Sequence, residues 1–205
     1  CIGVFLMADQ KISAMPSATV PLTGAELMPL VQGGANVKST ISAYGDYART
    51  KYFNHGAWQD TTTQTGSITA GTPFTFNTPD VTDGVTLVSG SRLTVPVTGV
   101  YNFQWSGQFQ NVENTIENVH VWLRIDGVDV PGSTGDISLT ARKTALIFSR
   151  TIIGWNYFLS LTAGQYVQIV WIPSVASITV PAYPASTTPA YPSTASVIVT
   201  VNQVG

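Results

Sequence analysis

Gly99-Val100-Tyr101-Asn102-Phe103-Gln104-Trp105 follows Arg92-Leu93-Thr94-Val95-Pro96-Val97-Thr98, and the reading of this stretch decides the fold. Apolar and polar residues alternate along it, as a half-buried strand requires, while Pro96 and Gly99 set the turn that feeds it. Tyr101, Phe103 and Trp105 therefore share one face, and Val100, Asn102 and Gln104 share the other.

The same kind of pattern fills the rest of the chain beyond Trp58. Strands are expected at residues 67–70, 74–77, 86–89, 91–97, 100–110, 117–125, 145–161, 166–172, 176–180 and 195–202. About ten short strands without an intervening helix predict an all-β fold, an antiparallel sandwich of jelly-roll type. A parallel α/β fold would need helices between the strands. In Tyr166-Val167-Gln168-Ile169-Val170-Trp171-Ile172, apolar side chains fall on both faces. A strand with one wet face should alternate cleanly, so this one is expected to be covered twice, by the opposing sheet and by a symmetric neighbour. The segment 119–125 alternates, with Val119, Val121, Leu123 and Ile125 against His120, Trp122 and Arg124, and reads as singly buried.

The composition agrees with strands and with assembly. Only 10% of the 205 residues are charged, against about 25% in an ordinary soluble domain. With a mean hydropathy of +0.19, much of the surface must be uncharged, which suits burial against other subunits. The net charge of −2 and nine scattered Lys and Arg residues provide no basic patch, so no nucleic-acid partner is expected. A single cysteine, Cys1, excludes an intrachain disulfide and Cys-based zinc ligation.

Residues 1–6 read as an extension upstream of Met7, too short for a signal peptide or a membrane span, so no membrane insertion is expected. Residues 7–52 form an arm of different character, and 53–205 the head. In the arm, Pro16, Pro21, Pro29 and Gly33-Gly34 break the apolar spacing into short extended pieces. Residues 26–32 and 37–41 are expected to pair as a hairpin around Gly33-Gly34, with Ser42 capping a helical turn over 43–51. A two-stranded hairpin cannot bury its apolar face alone. Leu27, Leu30, Val31, Val37 and Ile41 are therefore expected to dock on another protein.

Four segments of the head, Phe74-Thr75-Phe76-Asn77, 93–103 with its Val-Pro-x-x-Gly-x-Tyr-x-Phe run, 121–127 and 159–169, occur in an order that resembles the globular heads of complement and tumour necrosis factor. That resemblance spans about residues 57–205 and implies a jelly roll that assembles as a homotrimer. More narrowly, Trp122-Leu123-Arg124, residues 127–135, Gly154-Trp155-Asn156-Tyr157-Phe158 and residues 192–201 are similar to bacteriophage virion proteins carrying such a head. The arm, through Lys11-Ile12-Ser13-Ala14-Met15-Pro16 and residues 24–34, resembles the virion-proximal end of phage tail and fibre proteins. The resemblance implies an inner sheet near the threefold axis formed by residues 100–110, 166–172 and 195–202. Val100, Asn102, Gln104, Val167, Ile169, Trp171 and Ile198 are the expected trimer interface. No collagen-like or coiled-coil stalk joins arm to head, which favours a short knob over a long fibre.

Candidate chemistry is sparse. His120 has no nucleophile and carboxylate spaced around it in the manner of a triad. Asp126-Gly127-Val128-Asp129 reads as a hairpin turn, its spacing being wrong for a calcium loop. Asp80 and Asp83 sit in a comparable loop. Glu113 and Glu117 lie in a polar connection, which argues against a glycosidase pair. No catalytic residue, metal ligand or cofactor is expected. The near-repeat Ala182-Tyr183-Pro184 and Ala190-Tyr191-Pro192 is the candidate recognition loop, because exposed tyrosines suit contact with a host glycan or protein. The sequence thus points to a non-enzymatic virion component, assembled in the host cytoplasm, whose arm contacts other virion proteins. A tail or fibre knob that presents a host-binding head is the first reading. A capsid cement or decoration protein is the alternative, and a polysaccharide-degrading tail enzyme a remote one.

Overall fold

The computed structural model describes residues 22–205, apart from the side chains of residues 49–52. The extension 1–6 and the Lys11–Pro16 motif lie outside the described residues. Two compact units divide between Ala48 and Arg49.

In the first unit, β1 (Leu27–Gln32) and β2 (Ala35–Thr40) pair antiparallel and lead into α1 (Ile41–Tyr52). The two-residue loop is Gly33 at φ 58° and Gly34 at φ 79°, the mirror-image turn that matches the twist of a hairpin. The helix starts two residues earlier than expected. Its cap is Thr40, whose Oγ1 accepts from the Ala43 backbone N–H at 3.1 Å, so Ser42 lies within the first turn rather than capping it. Ahead of the hairpin, the Glu26 carboxylate accepts from the backbone N–H groups of Thr23 and Gly24 and from the Thr23 hydroxyl, each at 2.8 Å. Those bonds, the Thr23 backbone first, lower its pKa to about 2.

The second unit contains β3 (His55–Asp60), β4 (Gln64–Thr65), β5 (Thr72–Pro73), β6 (Thr78–Asp83), β7 (Thr86–Val88) and β8 (Arg92–Thr94). The long central strands follow as β9 (Gly99–Asn111) and β10 (Glu117–Ile125), then β11 (Val128–Asp129), β12 (Gly135–Leu139), β13 (Ser149–Leu161) and β14 (Tyr166–Pro173). Three two-residue strands, β15 (Thr179–Val180), β16 (Ser186–Thr187) and β17 (Ala190–Tyr191), precede β18 (Val197–Gln203).

All the pairings are antiparallel and make two seven-stranded sheets, with β16 and β17 paired apart as a two-stranded hairpin. One runs β4-β15-β9-β18-β3-β6, with β13 on the free side of β9 along its whole length. The other runs β11-β10-β14-β8-β7, with β12 on β10 and β5 on β14. Neighbours distant in sequence, β3 beside β18 and β10 beside β14, give the crossovers of a jelly roll. No helix among the described residues is long and apolar enough to cross a membrane.

The core lies between these sheets. Tyr101, Phe103, Trp105 and Phe109 of β9 point inward against Val119, Val121 and Leu123 of β10 and Val167, Ile169 and Trp171 of β14. Phe74 fills the centre, stacked on Trp171 at 5.6 Å between ring centroids and 5.8 Å from Trp105. It does not belong to a strand, contrary to expectation. Residues 74–77 form an irregular strap whose backbone reaches both sheets, Phe74 N–H to Ile169 O and Phe76 N–H to Gly90 O of one sheet, each at 2.8 Å, and Asn77 N–H to Gln59 O of the other at 3.1 Å. Residues 67–70 are likewise a bend, because the Ser67 hydroxyl accepts from the backbone of Thr69 and Ala70 and displaces strand pairing.

The strap is fixed by Asp60, which is 2% exposed. Its Oδ1 accepts from Thr62 N–H (2.7 Å), Thr62 Oγ1 (2.6 Å) and Asn77 Nδ2 (3.1 Å), and its Oδ2 from Thr75 Oγ1 (2.9 Å). Gln64 adds a reciprocal pair with the Thr75 backbone, both bonds at 3.0 Å.

The two-sided apolarity of β14 has a different cause from the neighbouring subunit expected. Its second face is covered by this chain. Val170 is buried beneath Trp122 and the backbone at Gly71, where an added Cβ would stand 2.5 Å from the indole and 2.7 Å from Val170. Arg92 lies over the Tyr166 ring at 4.7 Å. Val167, Ile169 and Trp171 are sealed inside the sandwich. They are core residues, not an assembly surface, and β14 sits in the opposite sheet from β9 and β18.

Replacing Asp60 by Ala removes a buried acceptor whose four donors come from the exposed residues Thr62, Thr75 and Asn77, and should lower unfolding free energy by about 1–3 kcal/mol, measured as a lower denaturant midpoint at unchanged m-value. For Glu26 the folded pKa is depressed. Its contribution to the arm is therefore present above the unfolded pKa and is lost as pH falls through about 2. Carboxyl-carbon NMR titration should place the Glu26 midpoint near that value, well below an ordinary glutamate.

Candidate assembly face

Because odd-numbered residues of β9 face the core, its even-numbered residues must face outward, together with their register partners. One row across the sheet is Phe158, Asn102 and Asn202, the next is Asn156, Gln104 and Thr200, and a third is Gly154, Ser106 and Ile198. The outward placement of Val100, Asn102, Gln104 and Ile198 agrees with the alternation in the sequence. Ile198 is 46% exposed, Phe158 63% and Ile152, which stands opposite Gln108, 72%. These are large apolar side chains on a sheet face whose polar members, Asn102, Gln104, Asn156, Ser106, Thr200 and Asn202, are all uncharged.

Two shallow hollows mark this face. One of about 650 Å³ is lined by Gln104, Trp105, Gly154, Trp155 and Asn156. The other, of about 250 Å³, is lined by Gln104, Trp105, Ser106, Ile198 and Thr200. Gly154 is required beside the first, since a Cβ there would approach the Trp105 carbonyl to 2.7 Å. Asn102 carries the most informative atom. Its Oδ1 is shielded from solvent and accepts no hydrogen bond among the described residues. A buried acceptor without a donor costs about 1–3 kcal/mol, and an outward-facing strand residue can recover that from a donor on another molecule. Ile152 and Phe158 escaped the sequence reading. The signal was present in Ile152-Ile153-Gly154-Trp155-Asn156-Tyr157-Phe158-Leu159, which is apolar on both faces.

The remaining sequence candidates are dispersed. Tyr183 and Tyr191 are not equivalent despite their repeated context. Tyr183 bridges to Thr194, donates its hydroxyl to Gln110 Oε1 at 2.6 Å and is covered by Arg150, 4.6 Å from the ring centre. It packs on its own sheet. Tyr191, on β17 at the tip of the loop, is 50% exposed. In the arm, Leu27, Leu30 and Val31 are exposed, whereas Val37 and Ile41 are half-buried.

The acidic residues serve turns. Asp126 at φ 49° and Gly127 at φ 84° close the β10–β11 hairpin, and Asp126 accepts from the Tyr166 backbone and Gln165 Nε2. Glu117 accepts from Ser174 and Thr115, bonds that hold its pKa below the usual carboxylate value, Ser174 contributing most. Asp80 accepts from Gln59 at 2.7 Å. Among the described residues, no three His, Cys, Asp or Glu side chains are grouped to hold a metal ion.

No protein-family model and no curated protein matches this sequence. Among solved structures, the chain is similar to the globular domain of the zebrafish complement 1qA protein, at 12% identity over 74% of this chain and 98% of that one, with a TM-score of 0.44. It is also similar to the Eiger TNF of S. frugiperda, at 12% identity over 76% and 94% of the two chains, with a TM-score of 0.48.

The contrast between the two tyrosines is measurable. Tyr183→Phe, which removes the hydroxyl from Gln110, should destabilise the head by about 1 kcal/mol. Tyr191→Ala should stay within about 0.5 kcal/mol of the parent chain in denaturant unfolding.

Proposed function

We propose that this chain is a non-enzymatic structural protein of a bacteriophage particle. Its jelly-roll head assembles as a homotrimer through the outer face of β9, β13 and β18, and its N-terminal arm anchors it to other virion proteins. The observation that carries the reading is the uncharged sheet face on which Ile152, Phe158 and Ile198 are exposed around the unpartnered Asn102 Oδ1. Depletion of charge and clustering of large apolar groups is the composition of an interface centre; the nearest outward charge on these strands, Arg150 one row beyond Ile152, is already bonded to Gln110 of its own chain. The exposed Leu27, Leu30 and Val31 support the arm as a docking element. The virion assignment rests on the similarity of arm and head segments to phage structural proteins. It makes the head a short knob turned toward the host surface.

Light scattering of the full chain tests the assembly. Expected is a mass three times the 21.8 kDa of one chain, and a monomer overturns the reading. Ile198→Asp and Phe158→Asp place a charge on the face of a residue already exposed in the single chain. Both should yield monomers that keep the β-sheet circular dichroism. Trimers that survive both changes would remove this face as the interface. Antibody labelling of purified particles tests the virion role, which fails if the protein is absent from them.

A further inference from the structure

On the other side of the sandwich, the outer face of β10 carries a groove that the assembly face does not use. It is a shallow groove of about 390 Å³, open to solvent, and is lined by His120, Trp122, Asp129, Val130, Pro131 and Thr134, within the size range of small-molecule sites. The register of β10 explains the lining. Val119, Val121 and Leu123 point into the core, so His120, Trp122 and Arg124 must point out, toward β11 and the loop that leads to β12.

The groove is rigid before any ligand arrives. The Trp122 indole N–H donates to Asp129 Oδ1 at 2.7 Å, while the Cζ2–Cη2 edge of its six-membered ring packs at Gly71 and Val170. Held by this hydrogen bond and this packing contact, the aromatic wall has little rotamer freedom left to lose on binding. Arg124 Nε donates to the same Asp129 oxygen at 2.7 Å. Asp129 Oδ2 accepts no hydrogen bond among the described residues and is left as an open acceptor. The two donors, Arg124 first, keep this carboxylate below its ordinary pKa. On the adjoining strand pair, His120 Nδ1 stands 3.4 Å from Asp136 Oδ1, which directs the other ring nitrogen away from that contact. Thr134 is exposed at the rim.

The chemistry of these walls selects among ligands. Arg124 compensates the charge of Asp129 within 2.7 Å, and the further charged group beside the groove, Asp136 next to His120, is acidic, so the groove offers no surplus positive charge to attract a polyanion. Trp122, Val130 and Pro131 provide apolar surface, and a carboxylate oxygen, an imidazole nitrogen and a hydroxyl stand around it. A molecule that presents a C–H face beside several hydroxyl groups matches that pattern. We propose that this groove binds a neutral saccharide, with its ring on Trp122 and Pro131, hydroxyl groups donating to Asp129 Oδ2, and further bonds to His120 and Thr134. The inference deepens the proposed head function by giving it a ligand class, and moves recognition from the Tyr183–Tyr191 loop to the opposite sheet.

The test is a titration of the full chain with galactose, glucose, N-acetylglucosamine, lactose, maltose and N,N′-diacetylchitobiose, followed by tryptophan fluorescence and ¹H–¹⁵N shifts. Saturable binding of at least one sugar, with shifts centred on residues 120–136, is expected. Asp129→Asn should weaken it about tenfold or more, because the lost bond is to a charged acceptor, and Thr134→Val should weaken it less. Thr134 is exposed and supports no other residue, so its variant remains informative if Asp129→Asn disturbs Trp122. Absence of binding to all six sugars overturns the proposal. So does equal affinity of both variants and the parent chain, or tighter binding of galacturonate than of galactose. Light scattering on the same samples reads the trimer separately, so loss of one result leaves the other standing.

Discussion

Everything in the head depends on the ring of Phe74 held between the two sheets. It stacks on Trp171 of one sheet and meets Trp105 and Phe109 of the other at 5.8 and 6.2 Å between centroids. Aromatic pairs at such distances add to the burial of their large apolar areas. Phe74 follows directly on β5, whose pairing with β14 continues in the Phe74 N–H bond to Ile169 O. The irregular strap beyond it is held by the buried Asp60, whose carboxyl oxygens collect four donors from residues 62–77. Once this layer is in place the orientation of each long strand follows, since one residue's choice of face determines that of all its neighbours along the strand. The assembly face and the β10 groove are therefore the two outer surfaces of a single packing decision.

That decision was legible in the alternation of β9 and in β10, whose bounds match the sequence reading residue for residue. The turns at Gly33-Gly34 and Asp126-Gly127 were legible for the same reason, because positive φ restricts residue choice more than any other local demand. What escaped were features whose causes are remote in sequence. The strand β3, His-Gly-Ala-Trp-Gln-Asp, has almost no strand propensity and exists because β18 and β6 pair with it on either side. Trp171 and its neighbours read locally as a subunit contact, because nothing local reveals that Gly71 and Trp122 cover the opposite, Val170 face of β14. At the candidate site, the outward set Val100, Asn102, Gln104 and Ile198 could be read from periodicity. The groove could not, since it needs Asp129 from a different hairpin arm to meet Trp122.

The scarcity of charge is also accounted for. Carboxylates here act mainly as acceptors that organise turns: Glu26 in the arm, Asp60 under the strap, Glu117 at the start of β10 and Asp126 at its end. In each case hydrogen bonds from backbone, hydroxyl or side-chain amide groups replace a cationic partner. Arg124–Asp129 and His120–Asp136 come within ion-pair distance on the outer face of β10. A fold that uses its acids this way needs few lysines and arginines, and leaves broad uncharged sheet faces.

The pairing of β3 with β18 places His55 opposite Asn202 and Asp60 opposite Val197. The opening and closing segments of the head thus lie side by side, and a side-chain bond of 2.6 Å from Asn54 to Gln203 ties them together. This contact spans nearly the whole head, so its closure entropy must be met before its hydrogen bonds can form. During synthesis, β3 emerges early and has one edge unoccupied until residues 197–203 leave the ribosome. Closure of this sheet is a late event in the folding of the chain, and the unsealed β3 edge is the place where two nascent heads would most readily exchange strands.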